Sequence, residues 1–275
     1  MTELASRRDA PIGVFDSGVG GLTVLRALRA ALPAEDFVYL GDTARLPYGS
    51  KSAQTVCRYS LQAAEVLVRR GVKMLVVACN TASSVALDAL RERHAGLPVV
   101  GVLEPGAAAA ASATRNAAIA VIATEGTVRG GAYPRALEAL RPGVRVVQRA
   151  CPLFVALAEE GWTDGPVAEA IARRYLEPLF DGPDAPDTLL LGCTHFPALI
   201  APIRRSVGER VTLVDSAQTT ARATAEGLAT LRLARGEGIG RLRLLATDGP
   251  ERFARVGALF AGESVAAEDI ELVDL

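Results

Sequence analysis

The chain has 275 residues, half of them hydrophobic and 22% charged, which suits two ordinary domains or one large one and excludes a disordered chain. Thirty basic residues against 31 acidic ones give a net charge of −1, without the basic footprint of a nucleic-acid binder. Met1–Ala10 is polar and lacks an apolar leader core, no run reaches the ~18 apolar residues of a membrane span, and four scattered cysteines form no CxxC pair, so a cytoplasmic chain with reduced thiols and no membrane contact is expected.

In chain order, short apolar runs alternate with longer amphipathic stretches. The runs predict strands at Ile12–Phe15, Phe37–Leu40, Met74–Ala78, Val99–Leu103, Ile119–Ala123, Val144–Val147, Thr188–Leu191, Val211–Val214, Leu242–Ala246 and Ile270–Val273. Between them, helices are predicted at Leu22–Leu32, Ala53–Arg70, Ser83–His94, Ala132–Leu140, Pro166–Leu179 and Thr219–Arg235, and the alanine run Ala107–Ala111 also reads as helix. The clustered arginines at Arg91–Arg93 and Arg141–Arg149 read as solvated faces. Wholly apolar strands alternating with helices imply an α/β fold with mainly parallel sheet covered on both faces.

An approximate internal repeat runs through this pattern. Asp16-Ser17-Gly18 after the first strand matches Thr124-Glu125-Gly126, 108 residues later. Leu40 matches Val147 at an offset of 107, Cys79 matches Cys193 at 114, and Val99 matches Val211 at 112. The expectation is two similar α/β halves facing each other across a central cleft, one inserted into the other. Residues 1–98 with 208–275 would carry Cys79, and residues 99–207 would carry Cys193. Ligands of parallel sheets sit beyond the carboxyl ends of the strands, which is where both cysteines fall.

Each of these cysteines follows an apolar strand and precedes polar residues: Cys79-Asn80-Thr81-Ala82-Ser83, with Thr81 or Ser83 as the helix cap, and Cys193-Thr194-His195-Phe196-Pro197, with Pro197 suited to a first helical turn. A thiol at a helix N-terminus is expected to have a lowered pKa. One such cysteine alone reads as inert core; two in matched positions point to chemistry. Cys57, inside a helix, and Cys151, before Pro152, read as structural. His195 is either a turn residue or an acid–base partner of Cys193, and His94 reads as a helix C-terminal residue. No zinc-ligand spacing is present. Asp16-Ser17-Gly18-Val19-Gly20-Gly21 lacks the endings of nucleotide-binding loops, and its amides are read instead as binding a carboxylate. Tyr48, in Pro47-Tyr48-Gly49, either offers its hydroxyl to a ligand or packs in its loop. Asp42, at another strand end, has no role legible here.

Phe15-Asp16-Ser17-Gly18-Val19-Gly20-Gly21-Leu22-Thr23-Val24, Gly41-Asp42-Thr43 with Pro47-Tyr48-Gly49, Ala78-Cys79-Asn80-Thr81-Ala82-Ser83 and Leu191-Gly192-Cys193-Thr194-His195-Phe196-Pro197 resemble the signatures of bacterial glutamate racemases, from about Ile12 to Ala229. The Thr124-Glu125-Gly126-Thr127 frame is kept, with no role assigned to Glu125. The resemblance implies an isomerase that interconverts L- and D-glutamate without cofactor, supplying D-glutamate for peptidoglycan, cell-wall biogenesis and cell shape. Cys79 would serve the D-face and Cys193 the L-face, supported by Asp16 and His195. Substrate binding would fall to Asp16, Ser17, Tyr48, Gly49, Asn80, Thr81, Thr124, Thr127, Thr194 and His195. Glu160 matches an acidic position of the family, or is a surface carboxylate. No metal, nucleotide or pyridoxal phosphate is expected, the only lysines being Lys51 and Lys73, and a homodimer is compatible with the family. The N-terminal extension that some members use to bind a cell-wall precursor activator is not expected here, which puts activator control in doubt. Two other classes stay open: a Cys193–His195 hydrolase or transferase, which leaves Cys79 unexplained, and a non-catalytic binding partner of another protein.

Overall fold

A computed structural model describes residues 8–275; the expectation for Met1–Ala10 therefore falls mostly outside the described residues. Among the described residues ten strands occur: β1 (Ile12–Asp16), β2 (Phe37–Gly41), β3 (Met74–Val77), β4 (Val99–Gly101), β5 (Ala118–Ala123), β6 (Arg145–Ala150), β7 (Thr188–Gly192), β8 (Thr212–Asp215), β9 (Leu242–Ala246) and β10 (Ile270–Leu272). They form two separate parallel sheets, ordered β10-β9-β2-β1-β3-β4 and β6-β5-β7-β8. The run β2-β1-β3-β4 of the first sheet has the same order as β6-β5-β7-β8 of the second, so the offset repeat in the sequence is a repeat of topology.

The strands are apolar on both faces because each sheet has a core on each side. In β3, Met74 and Val76 enter one cluster while Leu75 and Val77 enter another. In β5, Ala120 and Ile122 face one way and Ile119 and Val121 the other. Successive side chains of a strand point to opposite faces, so a buried parallel strand must be apolar at every position.

The helices are α1 (Leu22–Ala31), α2 (Ala53–Arg69), α3 (Asn80–Arg93), α4 (Leu103–Ala113), α5 (Glu125–Gly130), α6 (Ala132–Leu140), α7 (Pro152–Glu159), α8 (Pro166–Phe180), α9 (Ile200–Val207), α10 (Ser216–Thr230) and α11 (Pro250–Ala261). The predicted Val99–Leu103 strand is shorter, because Leu103 already begins α4, which contains the alanine run. Helices α5, α7 and α11 were not anticipated; α5 and α7 have only 6 and 8 residues, too few for a clear helical period.

Both inferred domain boundaries are displaced. Val99–Gly101 pairs with β3 and so completes the first sheet rather than opening the second half. Thr212–Asp215 pairs with β7 and so closes the second sheet rather than belonging to 208–275. The crossovers lie at Val102 and at Asp215–Ser216, because in each half the fourth strand pairs with the third before the chain leaves the sheet.

Candidate active site

The carboxyl ends of β1, β3, β5 and β7 converge on one cavity of about 380 Å³. Its wall includes Ser17, Tyr48, Gly49, Cys79, Asn80, Thr81, Thr124, Cys193, Thr194 and His195. Thus ten of the twelve residues singled out in the sequence share one wall. The other two stand behind it: Asp16 at the end of β1, and Thr127, which bonds to Thr81 and Thr124.

Cys79 and Cys193 are 5% and 6% exposed, nearly sealed yet both open to the cavity. Cys79 is itself the N-cap of α3, its sulfur accepting the Ala82 N–H at 3.4 Å, so neither Thr81 nor Ser83 caps that helix. The expected lowering of its pKa does not occur. Burial, followed by the repulsion of Asp16, pushes the Cys79 thiol up to about 12, outweighing the Ala82 N–H and the Ser17 hydroxyl at 3.6 Å. Cys193 precedes a short 3₁₀ turn, Phe196–Leu199, rather than an α-helix; its sulfur lies 3.8 Å from His195 Nδ1.

Asp16 is buried, and its Oδ2 accepts the amides of Gly18 and Gly21 at 3.1 and 3.0 Å. The glycine-rich loop therefore does bind a carboxylate, but these two amides bind the loop's own. Asp16 Oδ1 has no partner, and burial raises the carboxyl above its ordinary range despite these donors and His195. The loop also needs its glycine: a Cβ on Gly20 would lie 2.4 Å from the His195 ring, so this turn of the first half presses on the second.

His195 completes a chain of charges. Its Nε2 lies 3.1 Å from Glu159 Oε1, and Glu159 Oε2 accepts from Arg252 Nη2 at 2.7 Å. Burial pulls the imidazole pKa down, but the contacts with Cys193 and Glu159 prevail and lift it to about 10. His195 is therefore an imidazolium at neutral pH. The acidic partner is Glu159, not Glu160, which caps α7 and is exposed. One residue on a helix is a turn of about 100°. Val155, Ala156 and Glu159 share the face lining the cavity, a spacing that would have selected Glu159 once α7 was placed.

Three hydroxyls join the halves. Thr81, Thr124 and Thr127 bond pairwise at 2.9, 3.2 and 3.1 Å, and Thr23 Oγ1 donates to Thr194 O at 3.1 Å. Gly49 permits the close approach of its loop, since a Cβ there would stand 2.7 Å from Thr124 Cβ. Tyr48 donates its hydroxyl to Asp42, so of the two readings it packs in its loop rather than offering that hydroxyl to a ligand. Asp42 accepts from Arg45 at 2.7 Å and Thr247 at 3.0 Å as well, which gives it the role of organising the cavity's loop wall. Glu125 lines the rim.

Neither lysine lines the cavity; Lys73 is buried beneath the first sheet against Glu35. Among the described residues, no cluster of three or more His, Cys, Asp or Glu side chains is arranged to hold a metal ion. No helix of those residues is long and apolar enough to cross a membrane.

Comparison with known proteins places this geometry. Residues 12–224 match the family model for Asp/Glu/hydantoin racemases. A glutamate racemase of Geobacter metallireducens is 55% identical over 252 residues, covering 91% of this chain and 92% of the relative. The structure of glutamate racemase from Thermus thermophilus in complex with β-chloro-D-alanine superposes with a TM-score of 0.87 at 46% identity, covering 98% of both chains. That from Francisella tularensis in complex with D-glutamate superposes at 0.90 with 34% identity, covering 97% of this chain and 98% of the other.

Proposed function

Because this chain belongs to the Asp/Glu/hydantoin racemase family, we propose that it interconverts L- and D-glutamate by two proton transfers between the substrate α-carbon and the sulfurs of Cys79 and Cys193. The observation that carries this reading is two nearly buried thiols on one small cavity, set in opposite surroundings.

An α-proton beside a carboxylate is very weakly acidic, so a base must lie on one face and an acid on the other. From L-glutamate, Cys193 as thiolate, paired with the His195 imidazolium, removes the proton. Cys79, held as a thiol by burial and by Asp16, delivers one to the opposite face and the D-enantiomer leaves. The reverse direction begins with Cys79 as thiolate, its proton passed towards the Asp16 carboxylate. The hydroxyls of Thr81 and Thr124, braced from behind by Thr127, supply with Ser17 and Thr194 donors for the substrate carboxylates and for the charge that develops on them. Asn80 lines the cavity, and its Oδ1, buried and without a partner, is read as the acceptor for the substrate ammonium. All these groups come from the chain itself, so the reaction is read as cofactor-independent, with its D-glutamate destined for peptidoglycan in the cytoplasm.

Incubation with L-glutamate in heavy water, without added cofactor, tests this. The expected outcome is loss of optical rotation with deuterium appearing at the α-position and total glutamate conserved. Consumption of an ester or amide substrate instead, with Cys79 dispensable, would point to the Cys193–His195 hydrolase.

A further inference from the structure

Behind the cavity wall, a single side chain touches both thiol-bearing turns. Tyr133, on α6, is fully buried. Its Oη accepts from Asn80 Nδ2 at 2.7 Å, and Asn80 directly follows Cys79. The edge of its ring packs on Gly192, directly before Cys193; a Cβ there would lie 2.9 Å from Tyr133 Cε2. Ser216 is the third member. It stands at the second crossover, donates Oγ to Leu191 O at 2.9 Å and accepts from Asn80 Nδ2 at 3.4 Å. Asn80 comes from the first half, Tyr133 from the second, and Ser216 from the chain passing between them.

Two consequences follow from this triangle. Both Nδ2 contacts of Asn80 are spent inward, which leaves Oδ1 as the unpartnered atom of a residue on the cavity wall. The strand end before Cys193 and the turn after Cys79 are tied to one rigid phenol, so their separation is defined by its width. Proton transfer depends steeply on such placement; a displacement of about 1 Å can cost on the order of 10²-fold in rate.

We propose that Tyr133 is a positioning residue of the two-thiol reaction: it holds the Asn80 amide with its oxygen towards substrate and sets the spacing of the two sulfurs. The proposal rests on the racemase reading above and names a residue outside the cavity wall as part of its machinery. Tyr133→Phe keeps the ring on Gly192 and removes the hydroxyl. The expected result is a fall in kcat of about tenfold, the scale of one lost buried hydrogen bond, with KM within about twofold because the threonine donors are untouched.

Elimination from β-chloroalanine reads each face separately. A thiolate takes the α-proton, chloride leaves the β-carbon with the bonding pair, and the aminoacrylate hydrolyses to pyruvate and ammonium. In Tyr133→Phe the D-analogue, served by Cys79 beside Asn80, should slow more than the L-analogue. Ser216→Ala removes another corner of the triangle. Combined with Tyr133→Phe it should lower kcat little beyond the larger single effect, since both break one network. A lowered unfolding temperature with kcat, KM and the D-to-L elimination ratio unchanged in both single variants would overturn the proposal. If the unmodified protein does not racemise glutamate, the functional reading falls instead.

Discussion

Cys79 and Cys193 stand at the ends of equivalent strands, β3 and β7, in two copies of one strand order, yet the charges around them are opposite. Beside Cys79 lie the Asp16 carboxyl and the Ser17 hydroxyl; beside Cys193 lies an imidazolium backed by Glu159 and Arg252. A reaction between mirror images needs two groups placed nearly symmetrically about one carbon. It also needs them in different protonation states when substrate arrives. The repeated fold meets the first requirement and the unlike neighbours meet the second. The equilibrium constant between enantiomers is one, so kcat/KM must be equal in the two directions whatever the asymmetry; half-reactions are where the difference shows.

The strongest way to break the comparison is to remove one thiol at a time. Cys79→Ser and Cys193→Ser should each reduce racemisation by more than the 10² to 10⁴-fold typical of a general acid–base group, because each thiol acts in both directions and an alcohol is far less acidic. Each variant keeps one thiol, so elimination from β-chloroalanine should persist with one enantiomer. Cys79→Ser should process the L-analogue and Cys193→Ser the D-analogue. The same enantiomer preference in both variants would refute the assignment of faces.

Glu159→Gln sharpens the charge difference with a smaller effect. The amide can keep a hydrogen bond to His195 but not the negative charge that helps to lift the imidazole to about 10. His195 should then lose its proton at lower pH. We expect a loss of about tenfold in kcat/KM at pH 8 to 9, with the alkaline limb of the pH–rate profile moved towards neutrality. An unmoved alkaline limb would mean that the imidazolium does not support Cys193.

The thiols and the strand ends were legible in the sequence because buried parallel strands write themselves as apolar runs, and a polar cluster after such a run marks the carboxyl edge of a sheet. All ten predicted strands appear, and both cysteines line one cavity at the ends of matched strands. What was not legible depends on contacts far apart in the chain. Glu159 lies 36 residues from His195, on a helix too short to announce its face. Tyr133 reads as ordinary core, since nothing local tells that its hydroxyl meets Asn80, 53 residues away. The domain boundaries slipped by one strand because β4 and β8 look alike as sequence, and only pairing decides which sheet each joins. The raised Cys79 thiol was misjudged for a related reason: the cap is local, whereas the burial and the carboxylate that outweigh it are tertiary.

The smallest effect expected is on stability, where removing the titrating group should lower the unfolding temperature on one side of the site and raise it on the other. His195 has a folded pKa raised to about 10, above the value of about 6.5 for a free imidazole. Its contribution to stability is therefore fully present below about pH 6.5 and is lost as pH rises through about 10. His195→Gln should lower the unfolding temperature near pH 6 and cost progressively less in alkali. Asp16 also has a raised pKa, but a carboxyl that is easier to protonate when folded opposes folding once it ionises. Its penalty is absent below its ordinary pKa of 3.8 and grows as pH rises through the folded value. Asp16→Asn, which can still accept the Gly18 and Gly21 amides, should thus match the unmodified protein in acid and exceed it near neutrality, by about 2 to 4 °C if the gain is ~1 kcal/mol, while racemisation falls. Thermal unfolding of the three proteins between pH 4 and 10 tests this pairing. A decrease in unfolding temperature for Asp16→Asn at pH 7 would mean that its two amide bonds outweigh its burial, and that the anionic side of the site stabilises the fold as the cationic side does.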